Sequence, residues 1–443
     1  MRTAPMGRLL LGAAALLLAA AAAPAADRAE GKFPLRDGDT WVMAGDSITA
    51  QHLHSNYFEA FCFARYPHKT FRFRNSGVGG DTIPRLLARF DWDVAAWKPT
   101  VVSVELGMND QGGFSVEQYV ANMGKLTERI RDIKARPVFF AASPINNGST
   151  SAHLDGDAKL NAFADALKKF AAKEDAPFAD QFHALLNVWG KNKPRETLVN
   201  SLPALRELAK DDTIPGAEHL RAFLAEEAKA PGHLVSMQGD PVHPGPPGQL
   251  TMAAALLQGL GADGFVSSVV LDADGKVSAA KGCKVSGASA ENGKITFDRL
   301  DDCLPFPIPE AARPVLTLYP TILELSQYTL RVDGLKGDHY RLRVNGEDVA
   351  TLSGADLGKG VNLTRFGVGA IAAQGRAILA AVAAKEGEVS QWRGLSRLAS
   401  APNATDDTKT RLAELTKRVE ADDAKIRAAA KPRKLHFEII KGK

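Results

Sequence analysis

Cysteine is scarce: Cys62, Cys283 and Cys303 are the three in 443 residues. They form no Cys-x-x-Cys pair, so no thiolate metal site of the usual spacing is present. Cys62 lies among Phe58, Phe61 and Phe63 and reads as a buried thiol. Cys283 and Cys303 share one short segment and are the plausible disulfide pair in an exported chain. Charge of one sign is also lacking. The formal net charge is +4, with no long basic run before the extreme C-terminus, which argues against nucleic acid as a partner. Long apolar runs are missing too, apart from Leu9 to Ala23. Arg2 and Arg8 precede that run and small residues follow through Ala26, the pattern of a secretory signal peptide over 1–26. The expected location is therefore exported (periplasmic, secreted or cell-surface), with an uncleaved anchor as the alternative. Cleavage would lower the formal charge by two, and no stable membrane insertion is expected afterwards.

What is present is a regular alternation. Trp41–Ala44, Phe71–Arg74, Thr100–Leu106 and Pro137–Ala142 read as buried parallel strands, with Pro177–Asp180 a weaker fifth. Segments of helical periodicity, such as Val116–Lys134 and Ala158–Lys173, lie between them. Strands alternating with helices at this spacing predict βαβ units and a doubly wound α/β sheet, whose ligands bind at the C-terminal strand ends. This first domain is placed at 27–264. Within it 185–235 is mainly polar-helical, with breaks expected at Pro194, Pro203, Pro215 and Pro231, and either caps the site or is surface packing. A Pro/Gly-rich loop, Asp240–Gly248, leads into an apolar helix over Leu250–Leu260.

From 265 to 364 the pattern becomes a β-rich module. Strands are expected at Val266–Leu271, Lys294–Phe297, Val315–Tyr319, Tyr328–Val332 and Tyr340–Val344, with hairpin turns at Asp274-Gly275, Asn292-Gly293 and Asn345-Gly346. Asp272-Ala273-Asp274-Gly275 lacks the remaining ligands of a calcium loop and reads as a turn. Residues 365–443 read as helical, with Leu412, Leu415, Val419 and Ile426 on one face and a cap at Thr405–Asp407. The stripe is too short for a coiled coil and is expected to pack on the body.

Four motifs carry chemistry. Gly45-Asp46-Ser47 closes the first strand at the start of a helix, where a serine's own N–H favours developing negative charge. Gly77-Val78-Gly79-Gly80-Asp81-Thr82 follows the second strand. Its glycines can expose backbone N–H groups, and its spacing is not the G-x-G-x-x-G of a dinucleotide site. Gly107-Met108-Asn109-Asp110 closes the third strand, where an Asn amide can donate to an oxyanion. In Asp240-Pro241-Val242-His243 the two intervening residues let the carboxylate reach Nδ1–H of the His, leaving Nε2 for a serine. Each motif alone could be turn chemistry or helix capping.

Together, in this order and context, the four resemble the SGNH/GDSL hydrolase family of esterases and lipases over roughly Gly31 to Gly261. The resemblance implies a three-layer α/β/α, flavodoxin-like parallel sheet. It implies Ser47 as nucleophile, His243 as base and Asp240 as its orienting carboxylate. The oxyanion hole would comprise the backbone N–H groups of Ser47 and Gly80 and the side chain of Asn109, with Asp46 stabilising the turn. No metal or organic cofactor is required. The implied reaction is two-step hydrolysis of a carboxylic ester, and the partner is a small-molecule or carbohydrate ester. Acetyl groups on carbohydrates are favoured because 185–235 shows Leu220, Phe223 and Leu224 but no long apolar stripe. The alternatives are a lipase or thioesterase on longer chains, or a non-catalytic cell-surface binding protein. Other histidines are set aside: His219 and His233 have no Asp in the same short register, His52 and His54 read as solvent-facing or rim residues, and His153 and His183 as surface or packing.

Overall fold

The structure is a computed structural model that describes residues 33–229 and 237–442. The expected signal peptide over 1–26 and the stretch around Pro231 and His233 lie outside the described residues. The described residues form one compact unit.

The first part is a five-stranded sheet, β1 (Thr40–Gly45), β2 (Arg72–Gly77), β3 (Val101–Glu105), β4 (Arg136–Phe140) and β5 (Phe178–Ala179), all parallel in the order β2-β1-β3-β4-β5. Alternation along β1 sorts its side chains into two layers. Trp41 and Met43 join the core beneath α2 (Leu53–Arg65), α6 (Gln181–Leu208) and α8 (Pro246–Gly259), whereas Val42 and Ala44 join the core beneath α3 (Ile83–Asp93), α4 (Val116–Asp132) and α5 (Ala158–Lys173). Strands buried on both faces tend to read as apolar runs, which made β1, β3 and β4 legible; β2 instead buries Arg74, Asn75 and Ser76. The short α1 (Ser47–Ala50) follows β1 directly. The order β2-β1-β3 reverses direction at β1, and the cleft that such a reversal opens is where doubly wound sheets bind ligands.

The region 185–235 differs from expectation. Helix α6 runs through Pro194 and Pro203 without a break, and Leu185, Leu186, Val188 and Trp189 are buried in the main core. Its beginning is therefore part of the α/β layer. Leu208 at the end of α6 and Phe223 of α7 (Ala217–Lys229) are exposed.

The β-rich part comprises two sheets, β13-β10-β6-β7 and β12-β11-β14-β9-β8, around a shared apolar core. Their strands are β6 (Phe265–Asp272), β7 (Val277–Lys281), β8 (Cys283–Glu291), β9 (Lys294–Asp301), β10 (Gln327–Asp333), β11 (Tyr340–Val344), β12 (Glu347–Leu352), β13 (Val361–Asn362) and β14 (Leu435–Lys441), with the short helix α9 (Gly354–Lys359) before β13. The three expected turns are present: Asn292 and Asn345 take φ 53° and 49°, and each is followed by a Gly with positive φ. Three expectations are corrected. Val315–Tyr319 is no strand but lies in and just beyond 3₁₀ turns over Glu310–Thr317, because Pro314 interrupts strand pairing and Val315 is buried in the core shared with α8. Cys283 and Cys303 are not joined in a disulfide, and each thiol faces a backbone carbonyl of β6. The C-terminal region is not wholly helical: β14 inserts between β11 and β9, and Phe437 stacks on Phe297 at 4.9 Å.

Between these parts α10 (Gly369–Ala399) and α11 (Asp406–Ala429) form a hairpin. Thr405 caps α11 as expected, and Leu415 and Val419 pack with Val389 and Trp392. The hairpin packs on the α/β part through Trp392 stacked on Trp97 (3.6 Å) and through buried charges. Lys385 Nζ sits 2.8 Å from Glu59 and also bonds Glu386, while Arg74 makes a two-pronged pair with Asp423 (2.7 and 3.1 Å). Lys385 and Arg74, with the more exposed Arg72 3.9 Å from Asp423, face the carboxylates of Glu59, Glu386 and Asp423, and burial pushes Glu59 up to about 8 from 4.5. The folded chain therefore holds a proton that the unfolded chain releases, and stability falls as pH rises through that window. Replacing Glu59 with Gln keeps an acceptor for Lys385 and removes the titration. Thermal melts should show Glu59→Gln gaining a few °C over the parent at pH 9 relative to pH 6; equal gains at both values would refute the assignment.

Candidate active site

The turn after β1 is built for tightness. A Cβ on Gly45 would lie 2.1 Å from Thr49 Oγ1, so only glycine lets α1 start this close to the strand. Asp46 caps that helix, its Oδ1 accepting the Ile48 N–H at 2.9 Å. Ser47 is the first helical residue, so its N–H has no intrahelical acceptor. Its Oγ lies 2.8 Å from His243 Nε2.

His243 is held by its own loop. Asp240 Oδ1 accepts the N–H groups of Val242 and His243, each at 2.8 Å, while the ring Nδ1 lies 2.9 Å from Oδ2. A second strand-like pair, Gly239 with Pro244, closes the loop, and the Asn146 N–H donates to the Pro241 carbonyl at 2.7 Å. The His243 N–H, then the His243 ring and the Val242 N–H, hold the Asp240 carboxyl below its ordinary range. It is ionised at neutral pH and acts as the acceptor for Nδ1–H, which leaves Nε2 free to accept a proton from Ser47. The same register recurs at Asp180-Gln181-Phe182-His183, where Nδ1 is 2.8 Å from Asp180 and Asp180 caps α6. It is His243 that meets Ser47.

The other expected oxyanion donors follow the two strands that flank β1. Gly80 adopts φ +70°, a conformation that glycine takes without strain, and its carbonyl is held by Arg85 at 2.8 Å. Asn109 follows β3, its Nδ2 lying 3.0 Å from the Asp81 carbonyl and 3.4 Å from Asp46 Oδ2. The carbonyl can only accept, which turns the amide nitrogen towards the nucleophile turn. Beneath lie buried carboxylates. Burial pushes Asp46 up to about 7, against the Ile48 N–H, with Asp110 adding to the rise; burial likewise lifts Asp110 to about 6.

Several residues of this framework escaped the sequence reading. Glu105 ends β3 fully buried, accepting from Thr49 Oγ1 (2.5 Å) and Gln181 Nε2 (2.9 Å), and burial raises its carboxyl well above the ordinary value. His54 is not a rim residue. It is buried, bonds Gln249 (2.7 Å) with Nδ1, and burial lowers it to about 4, so it is neutral. His52 takes φ 60° and meets Ser390 of α10 at 3.3 Å. A lone acid inside the apolar run Thr100–Leu106 was the available signal for Glu105.

Ser47, His243 and Asp240 thus meet beyond the C-terminal end of β1, where the parallel sheet reverses its strand order. The sequence model of the GDSL-like lipase/acylhydrolase family matches residues 43–250, so the chain carries a GDSL-like lipase/acylhydrolase domain and is a carboxylic ester hydrolase. No curated protein matches the chain. Among solved structures, it is similar to BT4096, a gut microbial diltiazem-metabolizing enzyme, with 20% identity and a TM-score of 0.70 over 92% of this chain and 99% of that one. That likeness extends through the β-rich and helical parts and shows a shared fold. Axe2, an acetylxylan esterase from Geobacillus stearothermophilus, is similar at 19% identity and a TM-score of 0.35, over 51% of this chain and 95% of that one. Among the described residues no helix is long and apolar enough to cross a membrane.

Proposed function

We propose that the chain hydrolyses esters of small acyl groups, acetyl foremost, on carbohydrates, with Ser47 as nucleophile, His243 as general base and Asp240 as its orienting group. The observation that carries the mechanism is the continuous hydrogen-bonded line from Ser47 Oγ through His243 to Asp240. His243 takes the Ser47 proton as Oγ attacks the carbonyl, and the Ser47 and Gly80 N–H groups with the Asn109 amide receive the oxyanion. His243 then protonates the leaving alcohol, and water repeats the sequence on the acyl-enzyme.

Exposure supports a bulky hydrated substrate. The Asp240 side chain is 59% and that of His243 31% accessible, so this side of the site is open to solvent. A long acyl chain would need continuous apolar cover, and α7 offers only Leu220, Phe223 and Leu224. A β-rich module beside the catalytic part also suits sugar binding, by analogy of architecture alone. Export by the N-terminal segment would bring such an enzyme to its polymer.

The deciding measurement is acetate release from acetylated oligosaccharides beside a p-nitrophenyl ester series from acetate to palmitate. Acetate release with activity falling beyond butyrate is the expected result; a maximum at long chains would make it a lipase. In the same assay Asn109→Ala should lose about 10²–10³ in kcat, the usual effect of removing one side-chain oxyanion donor. A loss under threefold would remove Asn109 from the hole.

A further inference from the structure

The family model ends at residue 250, yet α10, more than a hundred residues later, reaches the strand ends that hold the oxyanion donors. Glu386, Ser390 and Arg393 recur at i, i+4 and i+7, one face of a helix. Glu386 Oε2 accepts the Asn75 N–H at 3.2 Å, and Asn75 in turn donates to the Thr49 carbonyl (2.8 Å) and accepts the Gly77 N–H (2.8 Å). Ser390 meets His52 just beyond the nucleophile helix. Arg393 donates from Nη1 to the Gly77 carbonyl at 2.8 Å, and from Nε and Nη2 to both oxygens of Asp93 at 2.6 Å each.

Asp93 is fully buried and passes this contact on. Arg89 donates to Asp93, to the hydroxyl and the carbonyl of Ser76 (2.8 Å each) and to Asp81 Oδ2 (2.7 and 2.9 Å). The carbonyl of Asp81 is the acceptor for Asn109 Nδ2, and Gly80 is the residue before it. Two arginines and two aspartates thus form a charge-balanced, largely buried line from α10 to both donors outside the nucleophile turn. A planar guanidinium gripping a carboxylate with two bonds and a carbonyl with a third fixes position in a way an ammonium cannot.

We propose that Arg393 is a positioning residue for the oxyanion hole: through Asp93, Arg89 and Asp81 it sets where Gly80 and Asn109 present their N–H groups. The C-terminal hairpin is then a working part of the active site. This rests on the Ser47/Asn109 reading above. A loose hole weakens transition-state binding and leaves ground-state binding alone, so the loss falls on kcat.

Arg393→Lys keeps the buried charge and loses the fork. With p-nitrophenyl acetate it should lower kcat about 10–10²-fold, a fraction of a full donor deletion, with KM within about threefold. In the Asn109→Ala background the same change should cost several-fold less than in the parent, because one of the two donors it aims is gone and only Gly80 is left to misplace. Trp392→Leu, which breaks the stack on Trp97 in the same hairpin, is the control: it should lower Tm and leave kcat within twofold at temperatures where the protein is folded. If Arg393→Lys does not fold, Asp93→Asn replaces it with the same expected losses. Unchanged kcat, full additivity with Asn109→Ala, or an equal kcat loss in Trp392→Leu would each overturn the proposal. If Ser47→Ala were fully active, the underlying reading would fail instead, and the two failures are separable.

Discussion

Ser47→Ala should abolish turnover, lowering kcat by about 10⁶, the scale found when a serine nucleophile that works as one unit with its base is removed. The substitution deletes one oxygen. Asp46 still caps the helix through Ile48, and Gly45 still permits the close approach of Thr49, so the fold should melt unchanged within about 0.5 kcal/mol. The residual rate would come from binding and the oxyanion donors alone. A fluorophosphonate probe gives the second readout: the parent should gain one adduct on Ser47 and the variant none. A variant that still hydrolysed p-nitrophenyl acetate at parental rate would remove Ser47 from the mechanism.

Asp240→Asn should cost about 10³–10⁴ in kcat. The asparagine can still offer Oδ1 to the Val242 and His243 N–H groups, so the loop keeps its shape. What changes is the atom facing the imidazole. An Nδ2–H₂ group opposite Nδ1 favours the tautomer whose proton sits on Nε2, and that nitrogen then cannot accept from Ser47. Asp240 is more exposed than a buried triad carboxylate, so water screens its charge and less of the loss comes from the lost charge than from the wrong tautomer. Asp240→Ala leaves water free to solvate Nδ1 and should retain more activity than the Asn variant. The reverse ranking would mean that the charge and not the tautomer dominates.

Much of this was readable because it is local or periodic. The strands β1, β3 and β4 are buried on both faces and read as mainly apolar runs, whereas β2 carries buried Arg74, Asn75 and Ser76 and was legible only at its Phe71–Arg74 end. The Asp240–His243 pair lies within one four-residue loop, and the hairpin turns name themselves by Asn-Gly. The strands that were missed have no such signal. β7, β8 and β12 are largely exposed, with Ser, Ala, Gly, Lys and Glu at many positions, and pair because neighbours present free edges. β14 reads as a basic tail until β9 and β11, some 140 and 95 residues earlier, open a slot for it. His54 looked exposed because its partner Gln249 lies on a different helix.

The sequence by itself determined that a serine would stand at the end of a buried strand and that a histidine with an aspartate three residues before it would follow a long way downstream. Those facts depend on residue type and short spacing, which the chain states directly; ester hydrolysis was what the resemblance of the four motifs to the SGNH/GDSL family implied. Only the tertiary structure decided that Ser47 and His243, 196 residues apart, close to 2.8 Å, and that a helix from the far end of the chain grips the turns after β1 and β2. Such contacts form when the polar groups of Arg393, Asp93, Arg89 and Asp81 have to find partners away from water. No local pattern encodes which distant residue will supply them.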